Sequence, residues 1–72
     1  MTSREVYPKD AVRALSRLGF FVIRKRGSHM RLGHADGRRV TIAIHPKSLS
    51  LGNLHSIFRQ AEITKEELGK VL

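Results

Sequence analysis

The fold of this 72-residue chain is decided by residues 28–44, which read SHMRLGHADGRRVTIAI. Apolar and polar residues alternate on both sides of Ala35-Asp36-Gly37, a pattern typical of a β-hairpin. A two-residue turn would divide the apolar residues between the two faces, whereas a three-residue loop with Gly37 at positive φ keeps them together. We therefore predict the longer loop. The predicted buried face carries Met30, Leu32, Val40, Ile42 and Ile44, and the open face carries His29, Arg31, Thr41, Ala43 and His45.

A further strand is predicted immediately before this hairpin. The run Phe20-Phe21-Val22-Ile23 is apolar and contains aromatic and β-branched residues, which favour extended structure. Gly19 bounds it on one side. The cluster Arg24-Lys25-Arg26-Gly27-Ser28 bounds it on the other and is predicted to form a basic turn.

Helices are predicted on both sides of the three strands. Pro8 suits the first turn of a helix that spans about residues 9–18 and ends at Gly19 as its C-cap. A second helix is predicted from Leu51 or Gly52 to Ala61. Thr64 and Glu67 have the spacing of a capping box, which predicts a short terminal helix. The apolar positions that support the two longer helices are Ala11, Val12, Leu15, Leu18, Leu54, Ile57, Phe58 and Ala61.

This order predicts an α+β fold of α-β-β-β-α type, a two-layer sandwich similar to the double-stranded-RNA-binding domain. Both helices can lie on the single apolar face of a three-stranded antiparallel sheet, which leaves the other face in water. A chain of 72 residues has room for one core, so residues 1–72 are expected to form a single domain.

The composition indicates a polyanionic partner. Lys and Arg total 14 against 6 Asp and Glu, which gives a formal net charge of +8. Such an excess attracts nucleic acid, although a solvated basic surface without any such partner is the alternative. There is no cysteine and no apolar run of signal-peptide or membrane-spanning length, so a cytoplasmic protein is expected.

Four histidines, His29, His34, His45 and His55, are the candidates for acid–base chemistry on RNA. Cleavage needs a group that moves a proton and cations around the phosphate, and histidine does the first near neutral pH. Only His29 and His45 are predicted on the open face. His29 could equally be an ordinary exposed strand residue, and His45 could hydrogen-bond the backbone of its loop.

Basic and glycine-containing segments next to His29 are candidates for holding phosphate. Arg31 is predicted beside His29, with Lys25 and Arg26 at the entry to the strand. Gly27-Ser28 could bind a phosphate through backbone amides, or could simply complete the turn. No carboxylates cluster with the histidines, so we predict neither a metal site nor a cofactor.

Several short motifs together resemble the HicA family of bacterial mRNA-interferase toxins over about residues 12–68. The resemblance rests on Leu18-Gly19-Phe20, Gly27-Ser28-His29, the run HADGRRVTI at residues 34–42, His45-Pro46, Gly52-Asn53-Leu54 and Ile57-Phe58-Arg59-Gln60-Ala61. Two positions depart from the family pattern. Ala35 follows His34 where the family often has proline, and Met30 follows His29 where a polar or aromatic residue is common.

The resemblance implies a double-stranded-RNA-binding-like fold, ribosome-independent cleavage of mRNA and a catalytic histidine at His29. It also implies neutralisation by a HicB-type antitoxin that covers the active face. The leading hypothesis is a metal-independent endoribonuclease acting on single-stranded mRNA. Its predicted RNA-binding residues are Lys25, Arg26, Gly27, Ser28, Arg31 and His45. The alternatives are a non-catalytic nucleic-acid-binding module and a basic protein that binds only an acidic antitoxin.

Overall fold

A computed structural model describes residues 5–72 and has the predicted α+β layout of the double-stranded-RNA-binding type. Its elements are α1 (Pro8–Arg17), β1 (Phe21–Arg26), β2 (His29–Gly33), β3 (Arg39–Ala43), α2 (Leu51–Ala61) and α3 (Lys65–Val71). The strands form one antiparallel sheet in the order β1-β2-β3. Within residues 5–72, no helix combines the length and the hydrophobicity that a membrane-spanning segment requires.

The hairpin between β2 and β3 has the predicted register. His29 lies opposite Ala43, and Leu32 lies opposite Val40. The His34 amide donates to the Arg38 carbonyl at 3.0 Å, so the loop between them has three residues, and Gly37 has a φ of +101°. The loop length is therefore confirmed, and so is the division of side chains between the two faces over residues 29–43.

The core lies between the sheet and the helices. Leu32, Val40 and Ile42 of the predicted buried face have almost no exposed surface. Met30 and Ile44 are half-buried and pack against the same core. Burial of each of these side chains stabilises the folded state by about 1.5–3 kcal/mol, so this face of the sheet packs against the helices. The helices complete the core with Ala11, Leu15, Ile57 and Ala61.

The prediction of a basic turn at residues 24–28 was wrong, because β1 continues to Arg26. The turn is formed by Gly27 and Ser28 alone, and Gly27 has a φ of +58°. The strand is longer because β2 supplies pairing partners for the basic residues, with Arg24 opposite Arg31 and Arg26 opposite His29. The register shifts between Val22 and Arg24, which leaves one extra residue, Ile23, as a β-bulge.

The ends of the helices agree with the sequence to within about one residue. α1 ends at Arg17 with Leu18 as its C-cap, and Gly19 follows with a φ of +96°. The predicted capping box of α3 is present, since the Glu67 amide donates to Thr64 Oγ1 at 3.1 Å and the Thr64 amide donates to Glu67 Oε1 at 2.8 Å.

Candidate nucleic-acid interface

The open face of the sheet carries a row of basic residues around His29. Residues directly opposite each other in an antiparallel pair share a face. The register therefore places Arg24 with Arg31, and Arg26 with His29, on the face away from the helices. All four side chains are exposed. Predicted site residues Arg26, His29 and Arg31 are thus brought together, and we call these four residues the arginine–histidine row.

Two arginines of this face were not predicted as site residues. Arg24 could not have been, because its place depends on the bulge at Ile23 and on the extension of β1. Arg39 lies opposite Gly33, so the parity of the hairpin already implied its position. Its side chain Nη1 is held by the Arg38 carbonyl at 2.9 Å.

The positive charge of the row has no neutralising partner within the described chain. Among residues 5–72, the only ion pair between an arginine or lysine and a carboxylate joins Arg38 to Asp36, outside the row. Like charges directly opposite each other destabilise a sheet, and Arg24 and Arg31 are such a pair. A bound anion would remove this repulsion, so the arrangement suits phosphate.

His29 also borders a cleft of about 180 Å³ between β3 and α2. The sheet contributes His29, Thr41 and Ala43 to its walls, and α2 contributes Asn53 and Ser56. Apolar side chains of Ile42, Leu49 and Ile57 complete the lining. No hydrogen bond from residues 5–72 holds the His29 ring, so both ring nitrogens are available to a ligand.

Lys25 is not brought to His29. It lies opposite Met30, and Met30 packs against the core, so Lys25 belongs to the opposite face of β1. The alternation of side chains along a strand separates it from its neighbours Arg24 and Arg26. That Lys25 contacts RNA remains a prediction, and such a contact would lie on the other face of β1, away from the row.

The expectation that His45 shares the open face with His29 was wrong. β3 ends at Ala43, and His45 lines a separate cavity of about 360 Å³ with Tyr7, Pro8 and Pro46. Pro46 explains why the strand pairing does not continue through this segment, since proline has no amide hydrogen to donate to a strand ladder. His45 Nδ1 is buried and has no hydrogen-bond partner within the described residues.

His34 has a structural role that the sequence did not reveal. The Asp36 amide donates to its Nδ1 at 3.2 Å, and its Nε2 lies 3.2 Å from the Leu18 carbonyl. These contacts fit the tautomer with hydrogen on Nε2, which then donates to Leu18. The ring also packs edge-on against Phe20 with centroids 4.9 Å apart. His34 thereby joins the hairpin loop to the end of α1.

Arg38 is likewise committed to the fold. Its guanidinium donates to the Asp36 carboxylate and to the Ala61 carbonyl at the end of α2, and it lies 4.9 Å from the centre of the Phe20 ring. The Arg38 side-chain hydrogen bond, followed by the Arg38 amide, lowers the pKa of Asp36 below its ordinary value of 3.8. Arg38 is therefore occupied and does not add to the open face.

The Gly27-Ser28 turn connects two members of the row, Arg26 and His29. Space is open around Gly27, since no atom of residues 5–72 other than its own chain neighbours lies within 4 Å of where a Cβ would stand. The Ser28 carbonyl accepts from the Ile44 amide, which fixes the turn against the chain after β3. Residues 5–72 contain no group of three or more histidine, cysteine, aspartate or glutamate side chains placed to hold a metal ion.

The fold and the open face define a small α+β domain of double-stranded-RNA-binding type, with arginines and a histidine exposed on its sheet. Residues 8–63 match the family model described as the HicA toxin of bacterial toxin–antitoxin systems. The match covers most of the chain, so the chain belongs to the HicA toxin family. A comparison with curated proteins gives no match.

Proposed function

We propose that this HicA-family toxin is a metal-independent endoribonuclease that cleaves mRNA, with His29 as its general base or acid. The observation that carries the proposal is the arginine–histidine row, in which His29 is the sole ionisable group able to exchange a proton near neutral pH among three arginines. The arginines can hold a phosphodiester while the histidine acts on its oxygen atoms.

The chemistry requires one proton to leave a nucleophile and one to reach the leaving group. As a base, a ring nitrogen of His29 takes the proton of the ribose 2′-hydroxyl or of a water, whose oxygen then bonds to phosphorus. The bond from phosphorus to the 5′-oxygen breaks, and that oxygen takes up a proton. As an acid, His29 supplies this second proton instead.

The arginines stabilise the negative charge that builds up on the phosphate oxygens. Guanidinium groups present donors in a fork that matches phosphate geometry, and they remain charged throughout the reaction. Arg24 and Arg31 face each other across the strands and Arg26 faces His29, so one phosphate can be held beside the ring. Such fixed charges need no reorganisation during the reaction.

The remaining predicted contacts lie outside the row. The exposed Gly27-Ser28 turn can offer backbone amides to the same phosphate. We propose that RNA nucleotides further from the cleaved bond contact Lys25, on the other face of β1, and His45, beside the start of α1. We propose single-stranded mRNA as the substrate, a cytoplasmic site of action and a single domain over residues 1–72.

We further propose that the family's antitoxin partner is of HicB type and covers the open face. Phe21 and Ile23 are about half exposed, at 51% and 46%, directly beside the arginines. An acidic protein surface that also carries apolar side chains would cover both features. Addition of such a protein is expected to abolish RNA binding and cleavage together.

The test is incubation of purified protein with mRNA in the presence of a chelator. We expect the wild type to cleave and His29→Ala to lose about 100- to 10,000-fold in rate, because general acid–base groups contribute on that scale. RNA binding and thermal stability should change little, since the His29 ring is exposed. His55→Ala, which removes an exposed histidine outside the row, is the matched control.

The rival function is a non-catalytic nucleic-acid-binding module, for which the basic face alone suffices. Salt-sensitive RNA binding fits both functions, because phosphate contacts release counterions in either case. Turnover separates them: RNA binding without cleavage, or full cleavage by His29→Ala, would contradict the proposed role of His29.

A further inference from the structure

The cleft between β3 and α2 differs in chemistry from the arginine–histidine row, although His29 borders both. Apart from His29, the residues that line it carry no formal charge. Its polar atoms come from Thr41, Asn53 and Ser56, and apolar side chains form the rest of its lining. Phosphate is therefore drawn to the row, and the cleft of about 180 Å³ suits an uncharged and partly apolar group.

The cleft exists because small side chains and a fixed helix keep it open. Ala43, opposite His29, leaves space over the sheet that a larger side chain would fill. α2 lies beside the edge strand β3 and is fastened there, since the Thr41 amide donates to Gln60 Oε1 at 3.0 Å. The walls of the cleft are thus held by the fold itself.

A relay of hydrogen bonds leaves the Ser56 hydroxyl free to donate. Gln60 accepts from Thr41, and its Nε2 donates to Ser56 Oγ at 3.0 Å. Ser56 already accepts one bond, so its own hydrogen can serve a ligand. The backbone amide of Asn53 donates to Ser50 Oγ, whereas no hydrogen bond within residues 5–72 uses its side-chain amide. Asn53 can therefore offer a donor and an acceptor together.

We propose that this cleft binds one unstacked base of the RNA, next to the bond cleaved at His29. Asn53 and Ser56 hydrogen-bond the edge of the base and so determine which base is preferred. Proteins read single-stranded RNA by holding splayed bases against apolar side chains and hydrogen-bonding their edges. The position of the base relative to the cleaved bond rests on the proposed function, whereas base-selective binding in the cleft requires only that the protein binds RNA.

Binding of uncleavable RNA tests the cleft without requiring catalysis. The probes are four short homopolymers of A, C, G or U with 2′-O-methyl riboses, which cannot react through a 2′-hydroxyl. Gel electrophoresis of the recovered probe checks that water has not cleaved it either. We expect the wild type to prefer one base. Asn53→Ala should reduce that preference about 5- to 100-fold and Ser56→Ala about 2- to 10-fold, because they remove two hydrogen bonds and one, respectively.

Matched variants separate base recognition from a general loss of structure. Ser56→Thr retains the hydroxyl and should retain the preference. His55→Ala lies on the same helix outside the cleft, and Ser16→Ala removes an exposed hydroxyl from α1, so neither should change it. Equal binding of all four homopolymers by the wild type, or an unchanged preference in both Asn53→Ala and Ser56→Ala, would overturn the inference.

Mapping of cleavage sites in mRNA then separates this inference from the proposed function. The expected result is that Asn53→Ala still cleaves but accepts more bases at one position near the cut. His29-dependent cleavage with an unchanged pattern of sites would overturn the base-binding cleft and leave the nuclease intact. Base preference that depends on Asn53, in a protein that never cleaves RNA, would support the cleft and refute the nuclease.

Discussion

The two ends of strand β2 each have a histidine, and the two residues are used in opposite ways. His34, just after the strand, contacts Leu18, Phe20 and Asp36. His29, at its start, makes no such contacts with the described part of the chain and stands among arginines on the exposed face. The same side chain thus serves the fold at one end of the strand and is available for chemistry at the other.

The difference arises from what each end of the strand meets. The hairpin loop after β2 folds back against the end of α1, where Gly19 leaves room for the His34 ring. The start of β2 follows an exposed two-residue turn and lies between β1 and β3, with Arg26 and Ala43 as its neighbours. The role of each histidine therefore follows from the residues that it contacts. Variants at and around His34 and His29 can test this difference in roles.

The largest stability effect is expected for His34→Ala. This change removes the acceptor of the Asp36 amide, the donor to Leu18 and the edge-on contact with Phe20. The combined cost is about 2–4 kcal/mol, and Tm should fall by about 10–20 °C in a domain of this size. Thermal denaturation followed by circular dichroism measures this change in Tm. If the Tm were as high as that of His55→Ala, His34 would not join the loop to α1.

A smaller loss is expected for Gly19→Ala. Its φ of +96° disfavours any side chain, and an added Cβ would lie 2.8 Å from His34 Nε2. We expect a loss of about 1–2 kcal/mol in the free energy of unfolding. Gly37→Ala is the matched control, because its φ of +101° is similar but an added Cβ would have no described residue within 4 Å beyond its chain neighbours.

The difference between these two glycine variants measures contact with His34 apart from backbone strain. In the His34→Ala background, the excess cost of Gly19→Ala over Gly37→Ala should disappear. Persistence of the excess there would show that His34 does not occupy the space above Gly19.

The smallest effect is expected for Asp36→Asn, measured as a function of pH. The pKa of Asp36 is lowered in the folded state by Arg38, so ionisation of this carboxylate favours folding above its ordinary pKa. That contribution is lost as the pH falls through the ordinary pKa of 3.8 and then through the lower pKa of the folded state. Urea unfolding should show wild type and variant converging at acid pH; a constant difference would contradict the ion pair.

The sequence was sufficient for the hairpin, because its alternation and loop allowed a single register that buried Leu32, Val40 and Ile42 on one face. It was insufficient for β1. The bulge at Ile23 depends on pairing with a distant strand, and local composition gave the basic residues the character of a turn. For the same reason, Arg24 was not predicted as a site residue, and Lys25 was predicted beside His29 although it lies on the opposite face of β1.

The site was predictable only where it depended on the hairpin. His29 and Arg31 followed from its parity, and so did Arg39, although its significance was missed. His45 could not be placed, because the sequence before Pro46 does not show at which residue the strand ends. The roles of His34 and the cleft depend on contacts with α1 and α2, and the spacing of residues along one strand contains no information about such contacts.

The most direct test of the central claim is the single-turnover rate of mRNA cleavage by His29→Asn and His34→Asn, each divided by its folded fraction. We predict that His29→Asn loses about 100- to 10,000-fold in rate with an unchanged Tm. His34→Asn should have a lower Tm and a nearly normal rate per folded molecule. Cleavage by His29→Asn at the wild-type rate, or an equal loss of rate in the two variants, would contradict the division of roles between these histidines.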